Sequence, residues 1–377
     1  MPLRSARSRY KIRSRYKNHA RYKNGSRDEN RSHHEGGSHR ESRSHHASFA
    51  RAAALVAALT LTAACTSSSH SVAESTPSAV TTPSSPTTAS ASASVAPCGE
   101  PTASLRPAPG PPRAADYTRD GSLAQLQRKG YLTVGIDQSS YPFGYADVLD
   151  NELRGFDIDL VREIAKDLFG GADPEHLRFR VLPNAIREQS VADGDVDLVA
   201  KSVTINCERR AKVDFSSTYY EAGQQVLVLT NTPAAAVDHR GGLGALPKGT
   251  RMCTVAKTTA ATSVAATPGL VNVNGENWND CLIRLQQGGA DASVGDDTIM
   301  LGLHAQDPHT ELVGDKLSYE PYGLEISKDR PDLVRFVNAS LQRIRQDGTW
   351  LALFDTYLAP YVSSQAQRTP PPAAYRD

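Results

Sequence analysis

From Leu123 onward, short apolar runs alternate with amphipathic stretches. "YLTVGID" reads as a strand, and "FDIDLVREIAKDLFGG" sets Phe156, Leu160, Val161, Ile164 and Leu168 on one helical face before a Gly-Gly stop. "LRFRVL" is a second strand, residues 185–193 form a weaker helix, and "VDLVAKS" is a third strand. Strand, helix, strand, helix, strand predicts a parallel sheet, because parallel neighbours need a crossover rather than a hairpin. A second series starts near Arg251 with "RMCTVA", a helix around Ala260, "CLIRLQQGG", "ADASVGD" and "DTIMLGLHA". "QQVLVLT" leads into it and "YGLEIS" leads back, after which "PDLVRFVNASLQRIRQDG" aligns Leu333, Val337, Leu341 and Ile344. The pattern predicts an α/β protein whose chain crosses twice between two lobes. Residues 116–228 with 323–361 make the first lobe, 229–322 the second, and 362–377 a C-terminal tail.

One junction breaks the apolar rhythm. In "DLVAKSVTINCERRAKVDFS" the end of a buried strand runs into Lys201, Ser202, Thr204, Arg209 and Arg210, with Cys207 among them. Burying such groups unpaired costs several kcal/mol. Something polar is expected to meet them there.

Composition changes the picture mainly at the N-terminus. The formal charge of the 377 residues is +1, but residues 1–51 hold 14 Lys or Arg against 4 Asp or Glu. That surplus of +10 leaves −9 for the rest of the chain. Residues 1–50 repeat "RYK" and then run through "SHHEGGSHRESRSHH". Basic residues with interleaved Tyr raise nucleic-acid binding, but an overlong leader or sequence upstream of the true start is the simpler reading, and no nucleic-acid partner is expected. Residues 51–65, "RAAALVAALTLTAAC", contain an apolar run too short to span a membrane and suited to a signal segment. Its end resembles a bacterial lipobox with Cys65 as the lipidated residue, although Thr62 stands where Leu, Val or Ile is usual. Residues 66–115 are rich in Ser, Thr, Pro and Ala and are expected to form a flexible tether.

With Cys65 lipidated, four cysteines remain in an exported chain and permit three pairings. The favoured one joins Cys253 with Cys281 inside one lobe and leaves Cys98 with Cys207. No two cysteines have zinc-ligand spacing, and neither metal nor cofactor is expected.

"GFDIDLVREIA", "VDLVAKSVTINCERRAKVDFSSTYY", "ADASVGDDT" and "RIRQDGTWLALF" resemble the polar amino-acid-binding proteins of bacterial uptake systems, solute-binding family 3. "CGEPTASLRP", "NWNDCLIRLQQ" and "DDTIMLGLHAQDP" narrow the resemblance to actinobacterial glutamate-, aspartate- and glutamine-binding lipoproteins of the GlnH and GluB type. The likeness covers about Leu123 to Ala359. It implies a two-lobed, periplasmic-binding-protein-like type II fold that closes by a hinge over one ligand. By family position, Arg209 takes the α-carboxylate with two parallel hydrogen bonds, Ser202 and Thr204 add backbone and hydroxyl groups, and Arg210 is a surface charge. Thr258 and Thr259 meet the carboxylate from the second lobe, with a plain helix N-cap as the alternative. Lys257 replaces the usual Gly and either contacts ligand or faces water. Asp296 takes the ammonium, and Asp297 caps the following helix.

Side-chain selectivity rests on Lys201 and Arg187. As two cations facing the pocket they favour glutamate or aspartate over the amides; otherwise Lys201 neutralises Asp193, Asp195 and Asp197, and Arg187 lies on an exposed helix. Asp137 lines the pocket or caps a loop, and Tyr141 stands next to Ser140, the family's place for a stacking aromatic. The resemblance implies a monomeric, lipid-anchored, extracytoplasmic binding protein that is not an enzyme and passes its amino acid to an ABC permease or a membrane sensor. The alternative is an enzyme on the same fold, a dehydratase acting on a cyclic carboxylate.

Overall fold

The computed structural model of the chain describes residues 98–113, 121–171, 175–362 and 368–377. Cys65, the signal segment, the basic extension and most of the tether lie outside the described residues. Two five-stranded mixed sheets organise the body. In the first, the order is Leu177–Val181, Leu132–Ile136, Leu198–Ala200, Glu325–Ile326, Asp214–Phe215, the first three parallel and the last two joined antiparallel. In the second, the order is Val271–Gly275, Arg251–Val255, Ala292–Asp296, Gln224–Leu229, Thr310–Val313, again with three parallel strands and antiparallel pairing about the fourth.

Each sheet has its own hydrophobic core. Helix Phe156–Phe169 buries Phe156, Leu160, Val161, Ile164 and Leu168, as its period requires, and Gly170 ends it in the left-handed conformation. It packs on helix Pro331–Gln346, which starts with Pro at its N-terminus and buries Leu333, Val337, Leu341 and Ile344. The second core gathers Val226, Leu227, Met252, Cys253, Cys281, Leu282, Val294 and Met300. Its disulfide Cys253–Cys281 spans 28 positions of sequence, and Cys98–Cys207 spans 109, which is the favoured pairing.

Three boundaries differ from the sequence expectation. The outgoing strand Gln224–Leu229 sits wholly in the second sheet, so the crossing precedes it and the limit at 228 is too late. The crossing itself is a two-stranded antiparallel ribbon, Tyr220–Ala222 against Glu320–Tyr322. Residues 98–113 are not free tether, and residues 375–376 are not free tail. Ser104–Leu105 pairs in parallel with Tyr375–Arg376, and Arg210 donates to the carbonyls of Pro101 and Ala103, the latter at 2.7 Å. Arg210 is thus a clasp on the N-terminal arm rather than a surface charge. Composition hid this because two ladder residues, a disulfide and borrowed side-chain donors order the arm without an apolar run of its own.

The two lobes also touch directly. Helix Asp297–Gln306 brings Gly302 against the loop after Ser139–Ser140, and a Cβ on Gly302 would lie 2.0 Å from the Tyr141 carbonyl oxygen. No side chain fits there without moving the lobes apart. Gly302→Val is expected to raise the radius of gyration measured by small-angle scattering relative to the unsubstituted protein, with thermal unfolding unchanged. Inside the first lobe, Asn338 is fully buried. It donates to Ser104 Oγ and the Leu105 carbonyl at 2.7 Å each and accepts from Ser217 N at 2.7 Å. Asn338→Leu is expected to cost about 2–4 kcal/mol in urea unfolding, since it strands buried backbone groups.

Candidate functional site

The seam between the lobes holds a cavity at the ends of strands Leu132–Ile136, Leu198–Ala200 and Ala292–Asp296. In open α/β sheets, ligands bind outside the carboxyl ends of the strands. The first lobe contributes Asp137, Ser140, Asn184, Arg187, Lys201, Ser202, Thr204 and Arg209 to the lining; the second contributes Thr258, Thr259, Trp278, Asp296 and Ile299. Nine of the eleven residues singled out in the sequence therefore meet in one place.

Arg209 lies in the short helix Cys207–Arg210, whose start is capped by Asn206 accepting from Arg209 N at 2.9 Å. Its Nη1 donates to the Thr204 carbonyl at 2.6 Å and its Nη2 to the Lys257 carbonyl, across the seam, at 3.3 Å. Arg187 Nη2 reaches the same Lys257 oxygen at 3.5 Å. Both guanidiniums are buried beside carboxylates: Glu188 lies 3.6 Å from each, and Glu325 lies 3.6 Å from Arg187 Nε. Burial, and next the neighbouring Arg187, lower the Arg209 pKa to about 10, which leaves it a cation at neutral pH. Glu325 is pushed up to about 7 by burial, against the pull of Arg187 and Arg209.

Lys201 and Asp137 form a direct ion pair in the cavity wall. Burial pushes the Asp137 carboxyl up, but the Lys201 charge and hydrogen bonds from Lys201 and Ser139 more than offset it and hold it below its usual range. Lys201 therefore does not serve the acidic cluster behind it: Asp197 is paired with Lys129 and Arg330 instead. Ser202 adopts a left-handed backbone, φ +50°, and gives its N–H to Asp157 at 2.8 Å. Asp157, a helix residue in the sequence reading, is a fully buried support of the site, pushed up to about 6 by burial.

On the second lobe, Thr258 caps helix Thr259–Ala265, accepting from Ala261 N at 3.1 Å and donating to the Val255 carbonyl at 2.7 Å. Its hydroxyl is spent locally, as the cap alternative requires. Thr259 donates instead to Glu320 at 2.9 Å. Asp296 ends its strand with Oδ2 accepting from Tyr322 Oη at 2.5 Å. Burial first, then the nearby Glu320, push its carboxyl up to about 7. Asp297 does not cap: Oδ1 accepts from Gly223 N and Thr298 N, and Oδ2 pairs with Lys316 at 2.5 Å, which ties the helix to the ribbon.

Two expected residues are absent from the lining. The Lys257 side chain is exposed, and with φ +63° its backbone takes the conformation that Gly favours; only its carbonyl faces the arginines. Tyr141 meets Tyr361, hydroxyl to hydroxyl at 2.5 Å, and packs edge-on against Tyr145. The aromatic in the wall is Trp278, first residue of helix Trp278–Gln286, which entered the sequence reading only within the motif "NWNDCLIRLQQ" and with no site role. Glu320 was also missed. It shares its strand face with Tyr322, and a carboxylate on an apolar face was the available signal.

The sequence pattern of bacterial extracellular solute-binding proteins, family 3, matches residues 132–360. The ABC transporter glutamine-binding protein GlnH of Bacillus subtilis is 28% identical over 65% of this chain and 87% of its own length. The glutamate-binding protein GluB of Corynebacterium efficiens is 30% identical over 61% of this chain and 79% of its own. Among solved structures, the ancestral amino acid-binding protein AncCDT-1, a precursor of cyclohexadienyl dehydratase, superposes with a TM-score of 0.57 at 28% identity, over 63% of this chain and 99% of its own. These relatives are named as binding proteins, not enzymes. The chain is a two-lobed α/β protein that belongs to the bacterial extracellular solute-binding proteins, family 3.

Proposed function

We propose that the chain captures one polar amino acid between its lobes and presents it to an ABC permease or membrane sensor, held near the membrane by lipid on Cys65. The carrying observation is the pairing of Arg209 on one lobe with Asp296 on the other around a single cavity. A planar guanidinium suits the α-carboxylate and a carboxylate suits the ammonium. Each such charged contact contributes about 1.5–3 kcal/mol. Contacts to both lobes favour the closed form by the difference in affinity between closed and open states.

Charge around the cavity supports a carboxamide side chain, glutamine or asparagine, over the acidic ligands first expected. Lys201 is paired with Asp137, and Arg187 and Arg209 lie beside Glu188, with Glu325 beside Arg187 as well. A side-chain carboxylate would find Lys201 already held in a direct ion pair by Asp137. An amide meets a ready donor–acceptor pair instead, its oxygen toward Lys201 and its NH2 toward Asp137. In an enzyme on this fold an acid or base would have to be poised over substrate; the carboxylates here are held by Lys201, Tyr322 and the arginines.

Isothermal titration against glutamine, asparagine, glutamate and aspartate is expected to give binding, with the amides about tenfold or more tighter than the acids. No heat with any of the four would refute the amino-acid reading, and tighter acids would refute the amide preference. Arg209→Ala is expected to abolish binding without unfolding, and Asp137→Asn to shift the acid-to-amide ratio toward the acids by about tenfold. The pH dependence has a definite sign. Ammonium binds the ionised form of Asp296, whose carboxyl is raised to about 7 in the ligand-free site. Below that pH a proton must leave on binding, so affinity is expected to fall as pH drops from 7.5 to 5.5 and to level off above 8.

A further inference from the structure

Glu320 stands in the ribbon strand Glu320–Tyr322 and is 3% exposed. Its carboxylate is held by four neutral donors. Oε2 accepts from Thr204 Oγ1 at 2.6 Å and Thr259 Oγ1 at 2.9 Å. Oε1 accepts from Gln224 Nε2 at 2.8 Å and Ser318 Oγ at 2.7 Å. Ser318 Oγ itself accepts from Gln224 N at 3.2 Å, which fixes its proton toward Glu320.

Thr204 belongs to the first lobe and Thr259 opens a helix of the second, so one oxygen atom is shared across the seam. Both threonines line the cavity. A hydroxyl has one proton, and once that proton is given to Glu320 only lone pairs remain for a ligand. Thr204 is bridged to Tyr322, which in turn donates to Asp296, so the carboxylate, the hydroxyls and the ammonium half-site form one connected unit.

We propose that Glu320 is a positioning residue: by taking the protons of Thr204 and Thr259 it makes both hydroxyls acceptors and so sets the requirement for an α-amino group on the ligand. The inference rests on the amino-acid reading above. Asp296 and the two hydroxyl oxygens then offer acceptors to the amino group from both lobes.

The test compares the amino acid bound by the unsubstituted protein with the same molecule lacking its α-amino group, glutaramic acid for glutamine or succinamic acid for asparagine. The readout is the ratio of their dissociation constants. Glu320→Gln is expected to lower that ratio by about tenfold or more, the scale of one charged hydrogen bond, because the new NH2 turns a hydroxyl proton toward the ligand. The double variant Thr204→Val with Thr259→Val is expected to lower it equally, the Thr204→Ser, Thr259→Ser pair to preserve it, and Glu320→Gln added to the valine pair to lower it no further. A merely structural role weakens both ligands in proportion and leaves the ratio unchanged, which would overturn the proposal. Should Glu320→Gln fail to fold, the valine and serine pairs decide: an unchanged ratio in the valine pair overturns it. Absence of any amino-acid binding by the unsubstituted protein would remove the reading beneath it as well, whereas tight binding with an unaltered ratio in every variant refutes this inference alone.

Discussion

Two buried guanidiniums on one lobe, Arg187 and Arg209, reach a single backbone oxygen on the other, that of Lys257. Much of the site follows from the need to keep those charges satisfied in a seam that excludes water. Glu188 and Glu325 balance them at 3.6 Å without close hydrogen bonds, so Arg187 Nε has no hydrogen-bond partner while Arg209 Nη1 is held by the Thr204 carbonyl at 2.6 Å. A tight bidentate partner within the protein would have locked the arginines away from any ligand. The arrangement keeps two cations buried and compensated at the cavity wall.

The fold makes this geometry possible by repeating one plan twice. Each sheet is three parallel strands with a fourth inserted antiparallel, and the two long crossings are the strands that make this exchange. Each lobe has a core of its own, while the ribbon residues Tyr220, Ala222 and Tyr322 and Leu301 of the second lobe pack on the first core. The ribbon is also where the carboxylate of Glu320 collects donors from both sides. The ribbon and the cavity are thus built from adjoining residues, joined by hydrogen bonds from both lobes to one carboxylate.

The N-terminal arm has a structural consequence of the same kind. Cys98 is joined to Cys207, two positions from Arg209, and Arg210 holds the arm's carbonyls. The segment leading back toward the basic head is fastened to the lobe that carries the guanidinium clamp. The C-terminal strand Tyr375–Arg376 is fastened beside it. The arm from Cys98 and the strand Tyr375–Arg376 therefore both join the first lobe.

Amphipathic periods in the sequence were enough to place the helices Phe156–Phe169 and Pro331–Gln346, the parallel strands and the double crossing, because burial of a face is a local signal repeated along each element. The polar junction after Ala200 likewise marked the cleft, since charges at the end of a buried strand need partners. What each charge does there was decided only by the tertiary structure. Lys201 and Arg187 read as free cations in the chain, yet Asp137 lies 64 positions from Lys201 and Glu325 lies in the other crossing, so their neutralisation has no local signature. Trp278, Glu320 and the carbonyl of Lys257 enter the site for the same reason. Hydrophobic patterning tells which face is buried, while electrostatic pairing depends on which atoms the folded chain brings within a few ångströms.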